Sequence, residues 1–110
     1  MSVLAGLEPQ SVFKYFEEIC GIPHGSSNTK QISDYLVKFA KERGLRYIQD
    51  EKNNVIIFKD GSRGYEKSKP VIIQGHIDMV CEKEKDCDID FEKEGLRLQC
   101  IDGVISAKGT

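Results

Sequence analysis

The sequence predicts an α/β domain in which two helices are followed by a mixed β-sheet. Three observations support this class. Apolar residues recur at helical spacing in two stretches before Gly44, β-branched runs separated by turn residues follow it, and Asp102-Gly103 lies between two apolar runs. Helical spacing indicates amphipathic helices, and Asp-Gly between apolar runs is a strong signal for a two-residue hairpin turn.

The first helix is predicted over residues 8–20. Pro9 suits the first helical turn, and Pro23 ends the helix because it biases the preceding residue away from helical geometry. One side of this helix carries the apolar residues Val12, Phe13, Phe16, Ile19 and Cys20. We therefore expect that side to face the core.

The second helix is predicted to begin at Asn28, with Gln31 in capping-box spacing, and to stop at Gly44. Its apolar stripe consists of Ile32, Tyr35, Leu36, Phe39 and Ala40. Aromatic residues at helical spacing are explained by core packing more simply than by a stacking platform.

Strands are predicted at 45–49 and 54–59, around a turn at 50–53, and a loop is predicted at 60–69. The apolar run 71–74 is typical of a strand in the middle of a sheet that is covered on both faces. The mixed charges of 82–86 indicate a solvated loop. A final hairpin is predicted from strands 96–101 and 104–107.

Composition excludes several classes of protein. The chain has 110 residues with 16 Lys and Arg against 18 Asp and Glu, a net charge of -2, so nothing favours binding to nucleic acid or an anionic membrane. No apolar run approaches the roughly 20 residues of a membrane-spanning helix, and no export signal is recognised. We therefore expect a cytoplasmic protein whose four cysteines are reduced, with thiol redox chemistry as a weak alternative (Cys20, Cys81, Cys87 and Cys100).

The best candidate for chemistry is the stretch Gly75-His76-Ile77-Asp78 at the end of the predicted central strand. Residues two apart in an extended chain project to the same side, so His76 and Asp78 can meet. A neutral imidazole binds zinc through one nitrogen while a carboxylate accepts the N–H of the other. A buried structural hydrogen bond is the alternative explanation of this pair. A catalytic zinc normally takes three protein ligands, so the pair alone is too few.

The other histidine, His24, lies in a Gly/Ser turn before a predicted helix, where an anion could bind. A partly exposed loop histidine is the favoured interpretation. The following Gly25-Ser26-Ser27 has neither a nucleophile-elbow nor a phosphate-loop pattern.

Longer stretches of sequence resemble one enzyme family throughout the chain. They are Glu-Pro-Gln-Ser-Val-Phe-Lys-Tyr-Phe-Glu-Glu-Ile in the first helix, Asp-Glu-Lys-Asn-Asn-Val-Ile-Ile from residue 50, Gly-His-Ile-Asp-Met-Val-Cys-Glu-Lys from residue 75 and Asp-Gly-Val-Ile-Ser-Ala-Lys-Gly-Thr at 102–110. Together they closely resemble the N-terminus of aminoacyl-histidine dipeptidases, also called Xaa-His dipeptidases or bacterial carnosinases, in the aminoacylase/carboxypeptidase-like clan of zinc peptidases. The turn at Pro23-His24 and Cys81 depart from the family's usual residues.

The resemblance implies zinc-dependent hydrolysis of dipeptides, preferably Xaa-His, by water activated at a two-metal site, with Co or Mn as alternative metals. His76 would be a metal ligand, and Asp78 would be the catalytic carboxylate that orients it. Residues 1–110 would be the N-terminal portion of the catalytic domain, with the remaining ligands and the general base beyond Thr110. We therefore expect the 110-residue chain alone to be inactive and to bind zinc weakly at best.

Two alternatives remain open from the sequence. One is another clan member, a tripeptidase or an aminoacylase, and the other is a non-catalytic α/β binding domain in which His76 and Asp78 form only a structural bond. The expected partner is a small peptide substrate, with neither nucleic acid nor membrane. The substrate-binding residues are not predicted, and homo-oligomerisation is left open.

Overall fold

The computed structural model describes residues 2–110. The element order is helix α1 (Gln10–Cys20), helix α2 (Lys30–Glu42), then strands β1 (Arg46–Gln49), β2 (Val55–Phe58), β3 (Leu98–Ile101) and β4 (Val104–Ala107). The chain divides into two compact units: one is Ser33–Ile77, and the other joins the residues before Ser33 to Asp78–Thr110. Both predicted helices and four of the predicted strands are present, which confirms the α/β class.

The strands do not form one mixed sheet. Within the described residues β1 pairs with β2 and β3 pairs with β4, each as a separate two-stranded antiparallel sheet. Both are hairpins of consecutive strands, because short turns join antiparallel neighbours whereas parallel pairing needs a long crossover.

The predicted central strand at 71–74 is wrong for this chain. Residues 71–76 have no regular secondary structure and are exposed, and the exposed fractions of Val71, Ile72 and Ile73 are 86%, 88% and 96%. A central strand needs hydrogen-bonded neighbours on both sides. Neither two-stranded sheet in residues 2–110 includes this run.

Helix α1 begins at Gln10, two residues later than predicted, and its apolar side is only partly covered. Cys20 is buried, with 5% exposure, but Val12 and Phe16 remain 57% and 45% exposed. At its C-terminal end, the Cys20 carbonyl accepts a 2.8 Å hydrogen bond from the Leu96 N–H, which joins α1 to the 95–96 segment of the same unit.

Helix α2 has the predicted apolar stripe and the predicted stop. Ile32 and Ala40 are 2% and 0% exposed. Gly44 adopts φ +63°, its N–H donates to the Lys41 carbonyl, and the Leu45 N–H donates to the Ala40 carbonyl. This is a Schellman arrangement, in which a left-handed glycine satisfies the last carbonyls of the helix.

The start of α2 differs from the prediction. The helix begins at Lys30, and the Asn28 N–H donates to the Gly25 carbonyl at 2.9 Å. In a capping box that N–H would instead donate to the side-chain oxygen of Gln31. Asn28 therefore closes the preceding turn rather than capping the helix with Gln31.

Turn chemistry shapes both hairpins. Asp102 and Gly103, between β3 and β4, have φ values of +52° and +76°, as a type I′ turn requires. Between β1 and β2, the Asp50 carboxylate accepts hydrogen bonds from the N–H groups of Lys52 and Asn54 and from the side-chain amide of Asn54. These bonds, led by the one from the Asn54 side chain, hold the pKa of Asp50 below its ordinary value.

Candidate functional site

The predicted site residues lie where the chain passes from one compact unit to the other. His76 belongs to the last residues of the Ser33–Ile77 unit and is exposed, and Asp78 opens the second segment of the other unit and is half-buried. Gly75, which precedes His76, has no heavy atom within 4 Å of the position of an added Cβ. The imidazole is therefore accessible on an irregular stretch of chain.

The backbone beside Asp78 is held by the Gly/Ser turn that precedes α2. The Met79 N–H donates to the His24 carbonyl at 2.9 Å, and the Ser26 N–H donates to the Met79 carbonyl at 3.1 Å. Gly25 and Met79 thus form a parallel β-bridge. A Cβ on Gly25 would lie 2.5 Å from the Cys81 Sγ, so the missing side chain allows this close packing.

The side chain of Asp78 is anchored by the same turn. The Ser26 hydroxyl donates to its Oδ2 at 2.7 Å, across 52 residues of sequence. The sequence placed Ser26 in a polar turn and gave it no role. Nothing local could have revealed it, because a contact of this span depends on how the chain folds back.

His24 itself lies in the turn as a half-buried residue, and its ring Nδ1 is 2.6 Å from the Ile22 carbonyl oxygen. The imidazole therefore serves to close the turn through a backbone carbonyl. This agrees with the loop histidine predicted from the sequence.

The donor chemistry at 76–78 suits zinc in kind, since imidazole nitrogen and carboxylate oxygen are ordinary zinc donors. It does not suffice in number. In the described part of the chain, no group of three or more His, Cys, Asp or Glu side chains could hold a metal ion. The metal-ligand role of His76 therefore stays a prediction.

The four cysteines are free thiols. Burial, with a smaller contribution from the nearby Glu17 carboxylate, raises the pKa of the Cys20 thiol. A raised pKa keeps a thiol protonated and unreactive, since the thiolate is the nucleophile. The geometry at Cys20 therefore favours packing over redox chemistry.

A cleft of about 710 Å³ lies between the N-terminal segment, including Leu4 and Leu7, and the α1 residues Lys14 and Tyr15. Its lining contains no His, Cys or Asp.

No helix among residues 2–110 has the length and apolar character to cross a membrane.

No protein-family model matches the chain. All of the chain aligns at 40% identity with the cytosol non-specific dipeptidase of Escherichia coli (strain K12), over 23% of that protein. The crystal structure of aminoacylhistidine dipeptidase from Vibrio alginolyticus superposes on 97% of the chain with a TM-score of 0.91 and 36% identity, over 22% of its own length. The chain thus spans about a quarter of the length of these relatives. Sequence and fold together confirm the predicted resemblance: these 110 residues are similar to a portion of a cytosol non-specific dipeptidase and of an aminoacylhistidine dipeptidase.

Proposed function

We propose that the protein carrying this chain is a metal-dependent dipeptidase that acts in the cytosol. The observation that carries the proposal is the 40% identity along the whole chain to a cytosol non-specific dipeptidase, with the matching fold of an aminoacylhistidine dipeptidase. Because the chain covers about a quarter of each relative, residues 1–110 would be the N-terminal portion of the catalytic domain.

Within this proposal His76 is a metal ligand. Its exposed ring can present one nitrogen to an ion when the imidazole is neutral, the form that binds metals. In this proposal the role of Asp78 is to accept the N–H of the other ring nitrogen, which would fix the tautomer and the direction of the ligating lone pair. The bound ions, zinc by preference with Co or Mn as alternatives, supply Lewis acidity that polarises the scissile carbonyl and activates water.

The remaining ligands of a two-metal site, and the general base, would come from residues outside 1–110. Three protein ligands are normal for one catalytic zinc, and residues 2–110 hold no such group. The 110-residue chain alone is therefore expected to show no dipeptide hydrolysis.

Two substitutions in the full-length protein test the roles of the pair. His76→Ala and Asp78→Asn should each lower kcat/KM for a dipeptide by at least about 10-fold, the smallest loss typical for groups that hold or orient a metal ligand. Zinc content measured by mass spectrometry should fall in His76→Ala, while the melting temperature of the metal-free protein stays unchanged. Asp60→Asn, which alters an exposed loop carboxylate, is the matched control. Full activity in both site variants would overturn the proposed roles of His76 and Asp78 and favour a purely structural hydrogen bond.

The names of the two relatives indicate different substrate specificities: one is called a non-specific dipeptidase and the other an aminoacylhistidine dipeptidase. We propose dipeptides as the substrate class, with a preference for C-terminal histidine. Comparing kcat/KM for Ala-His, Ala-Leu, a tripeptide and an N-acetylated amino acid separates a dipeptidase from a tripeptidase or an aminoacylase. Equal rates on Ala-His and Ala-Leu would remove the histidine preference and leave the dipeptidase intact.

A further inference from the structure

The Asp78 carboxylate is bound by a hydroxyl that is itself fixed at the backbone. Ser26 Oγ donates to Asp78 Oδ2 at 2.7 Å, an ordinary distance for an O–H···O hydrogen bond. The N–H of the same Ser26 donates to the carbonyl of Met79, the residue after Asp78. Two hydrogen bonds therefore join Ser26 to the 78–79 segment: a main-chain bond to Met79 and a side-chain bond to Asp78.

This arrangement restricts the rotation of a half-buried aspartate side chain. The terminal torsion of an Asp side chain has broad, shallow preferences, so a carboxylate near solvent can rotate away from its partner. Holding Oδ2 with a fixed hydroxyl sets the plane of the carboxylate. A carboxylate has about four acceptor sites on its two oxygens, so accepting one hydroxyl does not by itself prevent it from accepting an imidazole N–H.

The position of Ser26 depends on its neighbours in the turn. Gly25 is buried in the bridge to Met79, where a Cβ would meet Cys81 Sγ. The Asn28 N–H closes the turn onto the Gly25 carbonyl at 2.9 Å. The backbone that carries the Ser26 hydroxyl is thus held by hydrogen bonds on both sides of Ser26. This lowers the conformational entropy that is lost when the hydroxyl binds the carboxylate.

We propose that Ser26 is a positioning residue for the reaction, acting through Asp78 on the orientation of His76. The inference rests on the proposed function, since it assumes that Asp78 orients a metal ligand. Ser26 touches neither substrate nor metal. Its contribution is the preorganisation of the carboxylate.

The test uses the full-length enzyme with three single variants. Ser26→Ala removes the hydroxyl, Ser26→Thr keeps it, and Ser27→Ala removes the neighbouring exposed hydroxyl as the matched control. Ser26→Ala should lower kcat about 10-fold with little change in KM, and should weaken zinc affinity in competition with a chelator by a similar factor, as for other outer groups around a metal ligand. Ser26→Thr should restore both quantities, and Ser27→Ala should match the wild type.

A double variant separates this inference from the proposed function. If Ser26 acts through Asp78, then adding Ser26→Ala to Asp78→Asn should change kcat less than 2-fold, because neighbours in one network are not additive. If the losses of kcat in the two single variants multiply in the double variant, the inference is overturned. It is also overturned if Ser26→Ala keeps the wild-type kcat and zinc affinity, or if Ser26→Thr does not restore them. In those cases loss of activity in Asp78→Asn alone would still uphold the proposed function. Full activity in Asp78→Asn would overturn both the inference and the proposed role of Asp78.

Discussion

Gly95 gives the sharpest test of the packing around the end of helix α1. A Cβ built on Gly95 would lie 2.5 Å from the Cys20 carbonyl oxygen and equally close to that of Gly21, and both belong to the backbone. Backbone atoms cannot rotate away as a side chain can, so Gly95→Ala must push the 95–96 segment off the helix. The Leu96 N–H would then lose its 2.8 Å bond to the same Cys20 oxygen.

The expected cost follows from these two effects. Overpacking in a well-packed region costs about 1–3 kcal/mol, and loss of one hydrogen bond adds about 1 kcal/mol. We therefore expect Gly95→Ala to lower the free energy of unfolding by about 2–4 kcal/mol, a change of about 30- to 700-fold in the unfolding equilibrium constant.

Gly21→Ala is the matched control. Its added Cβ would meet the Glu17 and Glu18 carbonyl oxygens at 3.5 Å, an ordinary contact, and its φ of -75° suits alanine. It should be neutral or stabilising by up to about 1 kcal/mol, through the lower entropy of the unfolded chain. Urea denaturation of both variants and hydrogen exchange at the Leu96 amide measure the difference. Equal stability of Gly95→Ala and Gly21→Ala, with unchanged exchange at Leu96, would refute the close contact.

Two further predictions concern the β1–β2 hairpin and helix α2. The hydrogen bonds to Asp50 lower its pKa in the folded state below the ordinary 3.8. The stabilisation that they give is therefore complete at neutral pH. It is lost as the pH falls below 3.8 and through the lower pKa of the folded state. The difference in urea midpoint between wild type and Asp50→Asn should therefore shrink between about pH 4 and pH 2, and a constant difference over that range would contradict this reasoning. Ile32 is 2% exposed, so Ile32→Ala should cost about 2–5 kcal/mol in urea denaturation. Ile56→Ala, at a residue that is 54% exposed, should cost less than about 1 kcal/mol, and equal costs would show that Ile32 is not buried.

Local patterns predicted the elements whose determinants lie close together in sequence. The stripe that includes Ile32 and Ala40, followed by Gly44, predicted α2 and its termination, because side chains three and four apart share one face and glycine readily takes a positive φ. Asp102-Gly103 predicted the last hairpin for a similar reason, since a type I′ turn needs two residues with positive φ.

Local patterns failed where the outcome depends on neighbours. The run Val71-Ile72-Ile73 has the composition of a central strand, but in this structure it lies exposed and outside both sheets. Asn28 has capping-box spacing to Gln31, but its N–H is already used by the turn that packs against Met79. Composition indicates which conformation a segment favours, whereas pairing requires a partner at hydrogen-bonding distance.

The sequence by itself determined the class of the fold and the family resemblance, and it predicted His76 and Asp78 as site residues, because each of these depends on short local stretches of residues. Tertiary structure decided that Ser26 meets Asp78 and that Gly95 packs on the Cys20 carbonyl, since these partners are 52 and 75 positions apart. The physical reason is that side-chain periodicity reports the local backbone conformation, while distant contacts arise only when the chain closes long loops and buries the residues between them.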